Sequence, residues 1–203
     1  MTHEPIRVLY SRSHTTIHAG VGVFLAGPTP DEDTMPRGWR RKVVAALLAD
    51  PRLCPCMTVV VPEPESCRWA DIVTTTGRPR HDDAVNKQIQ WEWQYLELCR
   101  TTAIWLPTYW SAEASTPFPA NIGPTSRWEF GYWVARWERE SELREVIVGS
   151  PEDAEGVKWA RYLARSRGLT WHTLERSRKG ELVAPSFVEG IQQALLRRKW
   201  CGC

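Results

Sequence analysis

Two glutamates, Glu92 and Glu129, stand in tryptophan-rich stretches on either side of the apolar segment 102–107. If that segment is a strand of a parallel sheet, Glu92 lies on the helix before it and Glu129 on the helix after it. Open α/β sheets bind ligands at the carboxyl ends of their strands. Two carboxyl groups that meet there could act as nucleophile and proton donor, the pairing that cleaves glycosidic bonds. The arrangement therefore favours glycosidic-bond chemistry.

From the spacing alone, Glu129 has two interpretations. It falls in the first turn of a helix predicted over residues 126–137, where unpaired backbone N–H groups and the helix dipole favour an ionised carboxylate. Such a carboxylate can attack an anomeric carbon. Ser126 and Glu129 also have the spacing of a capping box, in which the glutamate only completes the helix start. The spacing favours the capping interpretation of the two.

Glu92 also has two interpretations. Glutamate is common on exposed helix faces and pairs readily with neighbouring side chains. Here, however, it lies between Trp91 and Trp93, and a carboxyl group beside apolar rings has its neutral form favoured, which suits a proton donor. Most of the 12 tryptophans are expected in the core or in subunit contacts. Trp91 and Trp128 are the candidates for stacking on a base.

Strands and helices alternate along the predicted elements. Apolar runs predict strands over 21–26, 57–61, 102–106, 145–149 and, at an edge, 169–173, while 6–10 is a strand or part of a hairpin. Helical spacing predicts helices over 39–48, 84–99, 126–137, 155–166 and 186–200, and 62–82 and 108–124 are irregular. This alternation predicts an α/β fold with an open, mainly parallel sheet and helices on both faces. We expect a flavodoxin-like or Rossmann-like three-layer sandwich that forms one domain over residues 1–203.

Composition excludes several classes of protein. The chain has 203 residues and a formal charge of +2, which is too balanced for a protein that binds nucleic-acid polymers. It has no apolar run of about 18 residues, so no membrane span is expected. Residues 1–12 lack the continuous apolar core of a signal peptide. We therefore expect a cytoplasmic protein.

No metal site is expected. The cysteines form two C-x-C pairs, a spacing that does not fit a zinc site, and the five histidines have no metal-ligand spacing. The glycine motifs of common dinucleotide and nucleoside-triphosphate sites are absent from the sequence. Gly27 and Pro28 follow a predicted strand and are either a plain turn or a place where a sugar or phosphate approaches the backbone.

Taken together, several motifs resemble the nucleoside 2-deoxyribosyltransferase-like family. They are Phe24 to Pro28, Trp39-Arg40, Gln88 to Glu92, Trp105 to Pro107 and Thr125 to Gly131, in matching order and spacing over residues 21–149. The resemblance implies cleavage of the N-glycosidic bond of a 2′-deoxynucleoside through a covalent deoxyribosyl-glutamate. The sugar then passes to another base or to water.

By the same resemblance, Glu129 forms the covalent bond and Glu92 handles the nucleobase. Gly27, Pro28 and Thr125 would border the sugar. We add four residues as candidate substrate contacts: Trp39, Trp91, Ser126 and Trp128. The resemblance implies no metal or organic cofactor, a small-molecule nucleoside or nucleotide as the ligand, and a homo-oligomer.

The chain departs from the better-known branch of this family at two places. Phe24 stands where a tyrosine is expected beside the nucleophile, and residues 121–123 stand where an aspartate is expected. Positioning of the nucleophile must therefore differ. One alternative is a nucleoside 5′-monophosphate hydrolase, favoured if Arg37, Arg40 or Arg41 contacts a phosphate. Another is a non-catalytic nucleotide-sensing or interaction domain, since a fold does not fix an activity.

Overall fold

The structure is a computed structural model, which describes residues 6–11, 13, 17, 22–28, 38–53, 56–65, 81–106, 109–110, 117–118, 124–154, 156–175 and 182–197. Within them the strands are β1 Arg7–Tyr10, β2 Gly22–Ala26, β3 Thr58–Val61, β4 Thr101–Trp105, β5 Tyr109–Trp110, β6 Pro117–Phe118, β7 Glu145–Pro151 and β8 Trp171–Leu174. The helices are α1 Trp39–Leu48, α2 His81–Leu98, α3 Pro124–Glu140, α4 Lys158–Ser166 and α5 Pro185–Arg197.

Six strands form one parallel sheet in the order β1-β3-β2-β4-β7-β8. Without the edge strand β1, this is the flavodoxin-like order. The chain passes to one side of β2 to form β3 and then to the other side to form β4. Such a reversal creates a crevice outside the carboxyl ends of the two strands that flank it, where ligands bind in open α/β folds. Here those strands are β2 and β4.

Alternate residues of each central strand face opposite layers of helices. On β2, Val23 and Leu25 pack in a cluster with residues of α1 and α5, whereas Phe24 and Ala26 pack in a cluster with residues of α2, α3 and α4. All five residues of β2 and of β4 are buried, as expected for strands covered on both faces. The predicted three-layer α/β sandwich is confirmed.

The predicted elements are confirmed, with shifts at their ends. The residues of α1 are those predicted. Helix α3 begins at Pro124, two residues before its predicted start, and α5 begins at Pro185, one residue before. Proline suits the first helical position because the N–H it lacks has no partner there. The segment 6–10 contains a parallel edge strand paired with β3, and the irregular segment 108–124 contains the short antiparallel pair β5 and β6.

Among the described residues, none of the helices has the length and apolar character that a membrane span requires.

Candidate active site

Four charged side chains from four places in the chain meet near the carboxyl end of β2. Arg40 comes from α1, Glu63 from the segment after β3, Glu92 from α2 and Glu129 from α3. Arg40 bonds to the backbone at the end of β2, and its charge acts on both Glu92 and Glu129. The sequence predicted the two helix glutamates together at this edge of the sheet. It did not predict Arg40 and Glu63 as their neighbours.

Glu129 lies in the second turn of α3, because the helix begins at Pro124. Ser126 is therefore inside the helix and cannot serve as its N-cap, so the capping-box interpretation is wrong. The expectation that the helix start favours the ionised form is also wrong. The pKa of Glu129 is raised to about 7, first by burial and second by the negative charge of Glu92, while the positive charge of Arg40 opposes both effects.

Glu92 is half-buried and is held by a chain of hydrogen bonds. The amide Nε2 of Gln88, one helical turn earlier, donates to Glu92 Oε1 at 2.7 Å. Ser11 Oγ donates to Gln88 Oε1 at 2.6 Å, which holds that amide beside Glu92. Burial raises the pKa of Glu92, while the hydrogen bond from Gln88 and the charge of Arg40 lower it. As predicted, the surroundings of this carboxyl group favour its neutral form.

Arg40 exposes 1% of its surface, and four of its five N–H donors bond to groups of the protein. Its Nε donates to the carbonyl of Leu25 at 2.8 Å and its Nη2 to the carbonyl of Gly27 at 2.6 Å. Its Nη1 donates to the carbonyl of Pro28 at 3.3 Å and forms an ion pair with Glu63. Because Arg40 is buried and bound to four acceptors of the protein, its position favours a structural role over contact with a substrate phosphate.

The turn at Gly27 requires glycine for packing. Its φ is +136°, and a Cβ atom at this position would lie 2.3 Å from the carbonyl oxygen of Trp105 at the end of β4. No side chain fits in that space. Gly27 thus allows β2 and β4 to end in close contact, which explains the residue without any ligand. Pro28 follows it and is buried.

The tryptophans proposed as substrate contacts differ in exposure. Trp39 exposes 1% and packs edge-on against Phe187, a position that favours a packing role. Trp91 exposes 5%, and its indole donates to the carbonyl of Ser13 at 3.0 Å, which also favours packing over base stacking. Trp128 exposes 55% and stacks on Tyr132 with ring centroids 5.3 Å apart.

Two further predicted contacts, Thr125 and Ser126, lie in the first turn of α3. Their side chains are outside the described residues, as are Arg37 and residues 121–123. Phe24, which replaces the expected tyrosine, is buried in the cluster that contains Phe130 of α3.

No three histidine, cysteine, aspartate or glutamate side chains are grouped as metal ligands in the part of the chain that the structure describes. A separate cleft of about 460 Å³ lies near the amino ends of β7 and β8, lined in part by Glu145, His172, Glu189 and Arg197. It includes neither Glu92 nor Glu129. The paired carboxyl groups and this cleft are therefore distinct places on the protein.

The carboxyl pair has the properties that glycosyl transfer through a covalent intermediate requires. Burial and mutual repulsion make it costly for both groups to be ionised, so the two together hold a proton at a higher pH than isolated glutamates would. One ionised and one protonated carboxyl group can therefore coexist near neutral pH. That combination supplies a nucleophile and a proton donor in one site.

Comparison with known families agrees with the resemblance seen in the sequence. Residues 20–141 match the family described as nucleoside 2-deoxyribosyltransferase like. The matched range contains β2, β3 and β4 and helices α1, α2 and α3, and all four charged residues of the site lie within it. No curated protein matches the chain.

Proposed function

The chain belongs to the nucleoside 2-deoxyribosyltransferase-like family, and we propose that it is an enzyme that cleaves the N-glycosidic bond of a nucleoside or nucleotide. The observation that carries this proposal is the pair of half-buried carboxyl groups, Glu92 and Glu129. They come from separate helices, act on each other electrostatically, and share the field of Arg40. If the two carboxyl groups served only to stabilise the fold, each would be expected to have its own positively charged partner or to be exposed to water.

In the proposed first step, a carboxylate oxygen of Glu129 bonds to C1′ of the sugar. The bond between C1′ and the base nitrogen breaks, its electron pair goes to the base, and Glu92 gives the base a proton. In the second step, another base or water attacks C1′ and releases Glu129, while Glu92 takes back a proton. Transfer of a deoxyribosyl group and hydrolysis therefore share one intermediate and differ in the acceptor.

The substrate has to bring the pair into its reactive charge state. Positive charge develops on the sugar in the transition state, and it favours the ionised form of the carboxyl group nearest to C1′. Because burial raises the pKa of Glu129 to about 7, only part of the free protein carries this carboxylate ionised at neutral pH. Binding of the sugar would complete the ionisation and leave the proton on Glu92.

The hydrolase alternative is a nucleoside 5′-monophosphate hydrolase, which needs a group that binds phosphate. Arg40 is a poor candidate for that role, since it is buried and four of its five donors bond to the protein. Arg41 is exposed and donates to the carbonyl of Glu65 at 2.9 Å. Among the described residues, then, neither Arg40 nor Arg41 supports this alternative over a nucleoside substrate.

We also propose a homo-oligomer. Ile89, Trp93 and Trp128 form an exposed apolar patch across α2 and α3, with exposed fractions of 52%, 37% and 55%. Trp93 and Trp128 contact each other edge-on, 5.4 Å between ring centroids. Large apolar groups clustered on a surface are typical of subunit contacts. The patch and the carboxyl pair lie on the same two helices. A partner subunit that covered the patch would therefore lie beside the site.

The experiment is to measure base release from a panel of deoxynucleosides, ribonucleosides and their 5′-monophosphates, with and without an acceptor base. Appearance of a new nucleoside indicates transfer, and free sugar indicates hydrolysis. Mass spectrometry of protein trapped with a slow substrate should find the sugar on a peptide that contains Glu129. Binding without base release from every substrate would instead favour the non-catalytic sensing domain.

A further inference from the structure

We infer that Arg40 is a positioning residue of this site: together with Glu63 it fixes the turn at Gly27 and supplies the permanent positive charge that sets the charge state of the carboxyl pair. Arg40 does not contact the reacting atoms in this account. It acts on them through the backbone at the end of β2 and through its field. Arg40 affects turnover only if the proposed function holds, whereas its effect on the carboxyl pair does not depend on that function.

The geometry explains why the residue is arginine. Its donors reach three successive parts of one turn, the carbonyls of Leu25, Gly27 and Pro28. A guanidinium group carries five N–H donors in a rigid plane, whereas a lysine ammonium carries three at one point. Buried carbonyl groups need hydrogen-bond donors, and Arg40 supplies one to each of these three acceptors.

The charge of Arg40 is shared among three carboxyl groups. Glu63 is in direct contact with Arg40, while the charge of Arg40 acts on Glu92 and Glu129 at longer range. If all three acids were ionised, the cluster would carry a net charge of −2. Buried charge of that size is costly, so Arg40 determines how much ionisation the pair can sustain. Glu63, by pairing with Arg40, offsets part of the field that reaches Glu92 and Glu129.

A simpler explanation is that Arg40 and Glu63 only hold the turn in place. On that view, changing either residue would alter stability and leave the ionisation of Glu129 where it is. On our inference, the two changes shift that ionisation in opposite directions. Removing Arg40 takes away the positive charge, which disfavours ionised Glu129. Neutralising Glu63 leaves Arg40 with its full field, which favours ionised Glu129.

The groups that act on Glu129 are few in the described part of the chain. Glu92 acts from α2 and Arg40 from α1, and Glu63 acts through its contact with Arg40. Arg41 provides a matched control, because it is the next residue of α1 and carries the same charge. It is exposed and bonds to the backbone of Glu65.

The test is an NMR titration of the side-chain carboxyl carbons in protein labelled with ¹³C-glutamate, with Glu129 assigned from the spectrum of Glu129→Gln. We expect the titration midpoint of Glu129 to rise by about one pH unit in Arg40→Gln and to fall by a similar amount in Glu63→Gln. Arg41→Gln should leave it in place. Glu63→Gln keeps an oxygen that can accept the bond from Arg40, so it tests the inference even if Arg40→Gln does not fold.

An unchanged midpoint in folded Glu63→Gln, or a shift equal to that in Arg41→Gln, would overturn the inference. This outcome does not depend on turnover. If the protein releases base, the lower limb of its pH–rate profile should move in the same direction as the NMR midpoint in each variant. Absence of base release combined with the expected midpoint shifts would instead count against the proposed function and leave the role of Arg40 in the carboxyl pair supported.

Discussion

Glutamates of helices α2 and α3 meet arginines in two groups, one at the amino end of the sheet and one toward its carboxyl end, and the two groups differ in charge balance. At the amino edge of the sheet, Glu97 of α2 and Glu140 of α3 meet Arg136 and Arg144. Both arginines also lie 5.3 Å from the ring centroid of Trp133. Every glutamate there has an arginine. The hydrogen bond from Arg144 lowers the pKa of Glu140, and Arg136 adds to the effect.

At the carboxyl edge the same helices present Glu92 and Glu129, and Arg40, the one arginine of the described residues that acts on both, is already paired with Glu63. Burial then raises the pKa of both carboxyl groups. Residue type and helix are the same at the two ends. What differs is the number of positive charges per carboxyl group and access to water. A carboxyl group with few positive charges nearby and little access to water has its pKa raised toward neutral pH, as acid–base groups of enzymes often do.

The largest expected effect is loss of base release in Glu129→Ala. Because this residue is proposed to form the covalent bond, turnover should fall at least ~10³-fold. Glu140→Ala, which makes the same substitution at another glutamate of the same helix, should retain turnover. Steady-state base release from the best substrate of the panel measures both. Equal activities in the two variants would remove the distinction between the two ends.

A smaller loss is expected in Glu92→Gln, which removes the proton donor and keeps the hydrogen-bonding shape. General acids typically contribute about 10²–10⁴-fold, and the loss should be greatest for bases that leave poorly without a proton. The measurement is the ratio of turnover between wild type and variant across a series of bases of graded basicity. If the ratio were the same for every base, Glu92 would not be the proton donor.

The pH dependence of stability should have opposite signs at the two ends. The pKa of Glu129 is raised from 4.5 to about 7, so its contribution to the free energy of unfolding is fully present below about pH 4.5 and is lost as pH rises through about 7. The pKa of Glu140 is lowered, so its contribution is present above pH 4.5 and is lost as pH falls below that value.

Urea unfolding at several pH values, with Glu129→Gln and Glu140→Gln as matched variants, measures this difference. Relative to wild type, Glu129→Gln should gain roughly 2 kcal/mol between about pH 5 and pH 8. Glu140→Gln should be less stable than wild type at neutral pH, and this difference in the free energy of unfolding should shrink as the pH is lowered. A pH-independent difference between Glu129→Gln and wild type would mean that the carboxyl group at the site titrates like one in water.

The smallest effect is expected for Glu97→Gln. Its ion pairs with Arg136 and Arg144 are partly exposed, so the loss of stability should be within ~1 kcal/mol and should shrink as salt is added. Unfolding experiments at low and high salt measure it. A loss of stability that persists in high salt would show that packing of the two arginines on Trp133, and not charge, stabilises this group of residues.

Much of the fold follows from local patterns. Helix α1 could be bounded from the sequence because Val43, Val44 and Leu47 repeat at helical spacing and Pro51 follows. The same pattern also predicts that Arg40 is buried. Arg40 lies three, four and seven residues before those apolar side chains, on the buried face of the helix. A charged residue in that stripe has to be paired inside the protein.

Other parts of the site could not be predicted, since they depend on long-range contacts. Ser11 and Gln88 are separated by 77 residues, and no local pattern places β1 beside β3. The charge state of Glu129 was predicted incorrectly for a related reason. Its position near a helix start was visible in the sequence, but its burial beside Glu92 and Arg40 depends on how three helices pack.

The hydrogen bond from Ser11 has a practical consequence for anyone who shortens this protein. Ser11 precedes the family-matched range of residues 20–141, yet its hydroxyl bonds to the Gln88 amide that donates to Glu92. In a fragment cut just before β2, the amide that donates to Glu92 would lose its bond to Ser11. A fragment trimmed to the matched range would therefore be the wrong material for an enzyme assay, even if it folded.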